Sequence, residues 1–301
     1  MREAVRPISI DDMMSRLADF RSEEAAEAVD NFPTLPSDVF ICTYTKSGTT
    51  WTQQIVHQLR TGGSMDFDDI SVAVPWLETA VDIGIDPTAD QRWEPRAFKS
   101  HLSSPEIPPG GRYITVFRDP ITVLPSFYRF FEGWFFEPGS ITIEDFARAF
   151  YMGGSASGRH WQHLIDWWPR IGDDDVLALS YEDMVADPDA VPAVVAEFLG
   201  IELDDATMST VIENCKRSTM TQHGSKFEEV LLREMRDPIM GLPAGGSASK
   251  VNASASTAVS TELTADLDEV WAETVAPALG FVSYDEFRAA LPDPLGARAR
   301  N

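Results

Sequence analysis

The stretch FICTYTKSGTTWTQQIVHQL, residues Phe40 to Leu59, decides the fold. Apolar and β-branched residues run into Lys46-Ser47-Gly48-Thr49-Thr50, and a helical pattern begins at Trp51. VFICTY at 39–44 is short, continuous and β-rich, the mark of a buried strand. Trp51, Ile55 and Leu59 recur at i, i+4 and i+8 with Val56 beside them, and Gly62-Gly63 closes the pattern. A strand, a polar glycine turn and a helix start together make an anion site. The first N–H groups of a helix lack intrahelical partners, and the helix dipole favours negative charge there. Gly48 lets the backbone approach a ligand, Ser47, Thr49 and Thr50 add hydroxyls, and Lys46 adds a full charge. The order departs from the P-loop G-x-x-x-x-G-K-[ST], because here the lysine precedes the glycine and no second glycine stands upstream. The plainer alternative is Thr49 or Thr50 capping a helix beside an exposed lysine.

Working outward, RAFKSHL at 96–102 reads as a second strand, RYITVFRDP at 112–120 as a third stopped by Pro120, and VLALSYEDM at 176–184 as a fourth. ITVLPSFYRFFEGWF follows Pro120 as a helix, with Pro125 near its start as a possible kink. PDAVPAVVAEFLGI reads as an amphipathic helix ending at Gly200, and LTADLDEVWAETVAPAL as a late helix. Strands separated by helices imply parallel pairing with crossovers. The expectation is an α/β fold: three layers, α/β/α, around a central parallel sheet with a P-loop-like loop. Residues 1–301 form a single domain in this reading. Residues 1–36 are a polar, partly helical lead-in ending at Pro33 and Pro36. The Gly, Ala and Ser-rich 241–260 forms a flexible loop over the site.

The 301 residues carry 24 basic and 48 acidic side chains, a net charge of −24. That composition argues against a nucleic-acid partner, which needs clustered Lys and Arg. It also makes each Lys or Arg near a glycine turn informative, since positive charge for an anion must be local. No run of eighteen apolar residues exists, so no membrane span is expected, and the N-terminus lacks a secretory h-region. Two cysteines, Cys42 and Cys215, are too few for a disulfide framework, and a cytoplasmic location is expected.

TYTKSGTTW closely resembles the 5′-phosphosulfate loop of cytosolic-type sulfotransferases, enzymes that use 3′-phosphoadenosine 5′-phosphosulfate (PAPS). Further motifs follow in family order. FKSHL resembles the strand carrying the catalytic histidine and gives Lys99 and His101. FRDPITVLPSFYRFF gives Arg118 and, eight residues on, Ser126, the pair that holds the 3′-phosphate. Trp161, His163 and Trp167-Trp168 match a tryptophan–histidine pattern. Tyr181-Glu182-Asp183-Met184 matches a motif whose tyrosine contacts adenine. The resemblance covers roughly residues 36 to 282. It breaks in the late loop, where the family's Arg-Lys-Gly and Gly-Asp-Trp-Lys are replaced by GSASKVNASAST, leaving Lys250 as a phosphate contact. The family's Ser-Phe adenine contact is blurred into Ser225 and Phe227. The resemblance thus implies a cofactor site of Lys46, Ser47, Gly48, Thr49, Thr50, Trp51, Arg118, Ser126, Tyr181, Phe227 and Lys250.

The implied reaction moves a sulfuryl group from PAPS to a hydroxyl or amine. Charge spreads over its oxygens in the transition state, so donors must be preplaced. His101 suits the general base, because an unperturbed imidazole titrates near neutrality. Lys46 neutralises the leaving phosphate. Lys99 lies two residues from His101 and so on the same strand face, as a second charge aimed at the sulfuryl oxygens. Ser126 binds the 3′-phosphate and tunes Lys46. No metal is required. His160, His163 and Asp166 could suggest one, but their spacing drifts around a helix and the flanking tryptophans read as packing. His57 is expected to be solvated, and Arg112 and Arg129 to be surface charges. Trp76, Tyr128, Phe131 and Trp134, with Phe135, would surround a small apolar acceptor such as a phenol, sterol-like or lipid alcohol, against the ordinary alternative of core packing. Two rival functions remain: a P-loop-type small-molecule kinase, which needs glycine before lysine and Mg²⁺ ligands such as Asp119, and a non-catalytic protein that binds PAPS or its desulfated product PAP. Nothing in the sequence sets the oligomeric state.

Overall fold

A computed structural model describes residues 4–155, 159–246 and 259–298. Four strands, β1 (Val39–Cys42), β2 (Ala97–Ser100), β3 (Arg112–Phe117) and β4 (Val176–Ser180), pair in parallel in the order β2-β1-β3-β4. Every strand residue except Arg112 is buried, which is why these segments read as unbroken apolar runs rather than alternating ones. The chain leaves β1 toward β2 on one side and returns to β3 on the other. The switch point therefore lies between β1 and β3, and a crevice outside the carboxyl ends of such strands is where α/β sheets bind ligands.

Successive side chains feed two different cores. Phe40, Phe98 and Tyr113 enter an aromatic one, with Phe40 stacked 5.7 Å from Phe98 and 5.6 Å from Tyr113. Helices Pro120–Trp134 and His160–Trp167 cover that face with Phe127, Leu164 and Trp167. Val39, Ile41, Ala97, Ile114 and Val116 enter an aliphatic core, covered by Ile55 and Leu59 of helix Thr49–Thr61 and by Val195 of helix Val191–Leu199. Helices on both faces give the three layers expected.

Helix limits follow capping chemistry. Gly62 ends helix Thr49–Thr61 in the left-handed conformation, and Gly200 does the same for Val191–Leu199. Asp119 accepts from the Ile121 N–H and Pro120 takes the first helical position. The helix then runs through Pro125 to Trp134. The lead-in contains helices Ile10–Leu17 and Glu23–Asp30, each capped by a serine.

Two expectations are corrected. The fourth strand stops at Ser180, and Tyr181–Ala186 is a helix, because the Ser180 hydroxyl caps it and Glu182 and Asp183 fill its first turn. His57 is fully buried rather than solvated, packed edge-on against Phe67 at 4.8 Å and Trp93 at 4.7 Å. The 64–96 segment folds over that side of the helix, which helical periodicity alone does not reveal. Lys250 and its neighbours at 247–258 lie outside the described residues. Among the described residues, no helix is long and apolar enough to cross a membrane.

Candidate active site

The turn after β1 bends through two left-handed residues. Lys46 has φ 68°, unusual for a residue with a side chain, and Gly48 has φ 96°. A Cβ on Gly48 would lie 3.0 Å from Cδ2 of Tyr181, so glycine is required both for conformation and for space. Helix Thr49–Thr61 opens directly from Gly48, with its first N–H groups at the turn. The Thr43 and Thr49 hydroxyls bond at 2.6 Å across the turn. Ser47 is fully buried, and its N–H donates to the Tyr44 carbonyl at 3.1 Å. Arg118, just beyond β3, donates to the Lys46 carbonyl at 2.7 Å and lays its guanidinium 4.2 Å from the Tyr181 ring centroid. The switch point is thereby bridged by one arginine.

Register brings the second strand to the same place. Cys42 of β1 pairs with Ser100 of β2, so His101 follows directly beside Thr43. His101 is 7% exposed, and its Nδ1 lies 2.6 Å from the Thr43 carbonyl oxygen. A carbonyl only accepts, so Nδ1 carries a proton, and the neutral form of the ring has its lone pair on Nε2. The His101 N–H donates to Glu78 Oε1 at 2.7 Å, and the Trp76 ring stands edge-on at 5.0 Å. Burial pushes the Glu78 carboxyl above its ordinary range. Lys99 is buried, ion-paired with Glu229 at 2.8 Å, and lies 4.0 Å from the Trp76 ring centroid.

Lys46, Gly48, Trp76, Lys99, His101, Arg118 and Glu229 line one cavity of about 570 Å³. Among the described residues, Lys46, Lys99, Arg118, Arg129, Lys216, Arg217 and Arg233 set seven basic side chains in its wall against three acidic ones, Asp189, Glu228 and Glu229. A protein with a net charge of −24 has thus gathered a positive cavity. Thr49, Thr50, Trp51, Ser126 and Tyr181 line it too, as do Trp76, Phe131 and Trp134. Ser47, Tyr128 and Phe227 are not in its wall. Tyr128 donates to the Ile141 carbonyl at 2.8 Å, and Phe227 is buried 6.0 Å from Phe67 in the aliphatic core. His160 and His163 are packed: His160 stacks on Tyr44 at 4.4 Å, its Nδ1 lies 2.7 Å from the Tyr151 hydroxyl, and burial lowers the pKa of both.

With this geometry in view, comparison with known proteins decides the family. The sulfotransferase domain matches residues 36–275. The chain belongs to the sulfotransferase family. Mouse sulfotransferase 1A1 is 30% identical over 211 residues, 66% of this chain and 72% of that protein. Human sulfotransferase 4A1 is 30% identical over 200 residues, 63% and 69% of the two chains. Retinol dehydratase, solved with androsterone and the inactive cofactor PAP, shares the fold with a TM-score of 0.66 at 20% identity, covering 83% of this chain and 84% of that one. Mouse SULT7A1, solved with PAP, gives 0.62 at 21% identity over 85% and 90%. The family is the one its motifs resemble, and it makes the chain a PAPS-dependent transferase.

Several residues of this sulfotransferase's cavity escaped the sequence reading. Part of the wall is built by Cys215, Lys216, Arg217 and Met220, where helix Asp205–Cys215 gives way to Arg217–Gln222. The Lys216-Arg217 pair in so acidic a chain was the available signal. Arg129, expected at the surface, is half-buried in the cavity wall, because helix Pro120–Trp134 turns that face toward the cavity. Leu17 and Phe20 of the lead-in line it as well.

Proposed function

We propose that the chain moves a sulfuryl group from PAPS to a hydroxyl or amine of a small, largely apolar acceptor, with His101 as general base. The positive cavity around a tautomer-fixed histidine is the observation that carries this reading. His101 Nε2 takes the acceptor's proton as its oxygen or nitrogen bonds to sulfur. The bond from sulfur to the nucleotide phosphate breaks, and PAP leaves with both electrons. Lys46 and the N–H groups after Gly48 neutralise that leaving oxygen, and Lys99 faces the sulfuryl oxygens. Lysine ammonium groups fill the electrophilic role.

Arg118, Ser126, Lys216 and Arg217 hold the 3′-phosphate end in this reading, and Tyr181 with Met220 sandwiches the base. Lys216-Arg217 supplies charge that the worn late loop lacks. Trp76, Phe131 and Trp134, with Phe20 and Leu17, bound the acceptor. The relatives solved with androsterone and with retinol accord with an apolar acceptor. The whole chain acts as one unit in the cytoplasm, where the two unpaired thiols of Cys42 and Cys215 are at home. Mass-spectrometric detection of sulfate transfer from PAPS to a panel of phenols, sterols and amines is the test. Transfer to at least one class is expected, and PAP binding without transfer to any would leave a nucleotide-binding protein.

A further inference from the structure

Glu229 has no counterpart among the residues the motifs single out, yet it lines the cavity and pairs with Lys99. It is 4% exposed, lines the cavity, and places Oε1 2.8 Å from Lys99 Nζ, 130 residues away in sequence. Its backbone is left-handed, φ 49° and ψ 52°, a conformation glycine adopts without strain and glutamate does not. The side chain makes no capping bond to helix Val230–Met240, which begins at the next residue. A carboxylate therefore sits at a strained backbone position where neither that geometry nor capping calls for one. Two residues on, the Leu231 N–H donates to Asp69 Oδ2 at 3.0 Å and fixes the start of that helix.

The partner is equally constrained. Lys99 is 4% exposed, its N–H donates to the Pro75 carbonyl at 2.8 Å, and its ammonium lies over the Trp76 ring. A buried ammonium without a counter-charge is unfavourable, and a lysine stem has several rotamers. The carboxylate on one side and the aromatic face on the other hold the ammonium at one point beside His101. An ammonium carries three donors, so a bond to Glu229 leaves others for oxygens of a bound group.

We propose that Glu229 is a positioning residue: through its ion pair it fixes Lys99 where the sulfuryl oxygens of PAPS arrive. The inference rests on the reading of Lys99 as the sulfuryl-facing cation. PAP lacks the sulfuryl group, so a residue acting through Lys99 affects reaction of PAPS and spares binding of PAP. Glu229→Gln keeps the shape and removes the charge. Its turnover is expected to fall by roughly tenfold to a hundredfold, as a displacement near 1 Å does, with PAP affinity by calorimetry unchanged and partial recovery in Glu229→Asp. Equal losses in turnover and PAP affinity would mean a merely structural role and overturn the proposal, as would no loss in either. Should Glu229→Gln fail to fold, Lys99→Met and the double variant Lys99→Met/Glu229→Gln leave no unpaired ammonium. Equal turnover in those two is expected, and a further drop in the double variant contradicts action through Lys99. Lys99→Met with full turnover would remove the role of Lys99 itself, and absence of transfer by the wild-type chain would remove the activity.

Discussion

One set of cavity groups, Lys46, Lys99 and His101, hangs from the carboxyl ends of adjacent parallel strands, and its spacing follows from the pairing of Cys42 with Ser100. A second set is carried by short helices: Tyr181, Lys216 and Arg217 at helix starts and Met220 one turn further on, brought together by helix packing. The two constructions differ in tolerance. Ladder register is set every few ångströms by backbone hydrogen bonds, which suits groups that must meet reacting atoms. Helix termini are adjustable and present N–H groups and charge, which suits recognition of a phosphate. Substitutions at the strand ends should therefore strike turnover, and those at the helix starts should strike affinity.

The largest effect is expected at the strand end. His101→Ala should reduce turnover by about 10²–10⁴-fold, the usual range for a lost general base, while PAP affinity measured by calorimetry stays intact. Loss of PAP binding in that variant would erase the distinction between the two sets. Gly48 joins them, because its missing Cβ leaves room for the Tyr181 ring. Gly48→Ala imposes left-handed strain of about 1–3 kcal/mol together with that clash. PAP affinity should weaken about tenfold or more, and an unchanged affinity would mean the turn is not the phosphate cradle.

Arg217→Ala is the complementary test at the helix starts. A lost charged hydrogen bond is worth about 1.5–3 kcal/mol, so PAP affinity should fall by an order of magnitude with turnover at saturating PAPS preserved. A fall in saturated turnover instead would join Arg217 to the chemistry. The smallest effect concerns a histidine of neither set. Burial holds the His57 pKa at about 3, against an ordinary value of 6.5. The folded state keeps this ring neutral while the unfolded chain takes a proton, so stability is full above 6.5 and is lost as pH falls toward 3. Unfolding free energies from urea titrations at neutral pH and at about pH 5.5 should differ by about 1 kcal/mol for this ring, and His57→Gln should remove that share of the slope. His163, shifted likewise to about 3, keeps its own share.

The strand end was legible in the sequence because each of its motifs is local. A β-rich run, a polar glycine turn and a helix period define the loop, and two residues of strand spacing put Lys99 and His101 on one side. The parallel sheet and both flanking layers followed from strands separated by helices. What stayed hidden depends on contacts between distant segments. The sequence reading runs the fourth strand on through Tyr181 because no glycine or proline interrupts 176–184, and the Ser180 cap divides strand from helix there. The 215–220 wall has no spacing signature, and the Ser225–Phe227 segment drew attention instead, although Phe227 packs against Phe67. The Lys99–Glu229 pair joins residues 130 positions apart, which no local pattern encodes.

The most direct measurement is a crystal structure of the chain with PAP and an acceptor bound. The 5′-phosphate should rest against Lys46 and the N–H groups following Gly48, the 3′-phosphate near Arg118 and Arg217, and the acceptor oxygen or nitrogen within hydrogen-bond reach of His101 Nε2. A nucleotide bound away from the 46–51 turn, or an imidazole turned from the acceptor, would contradict it.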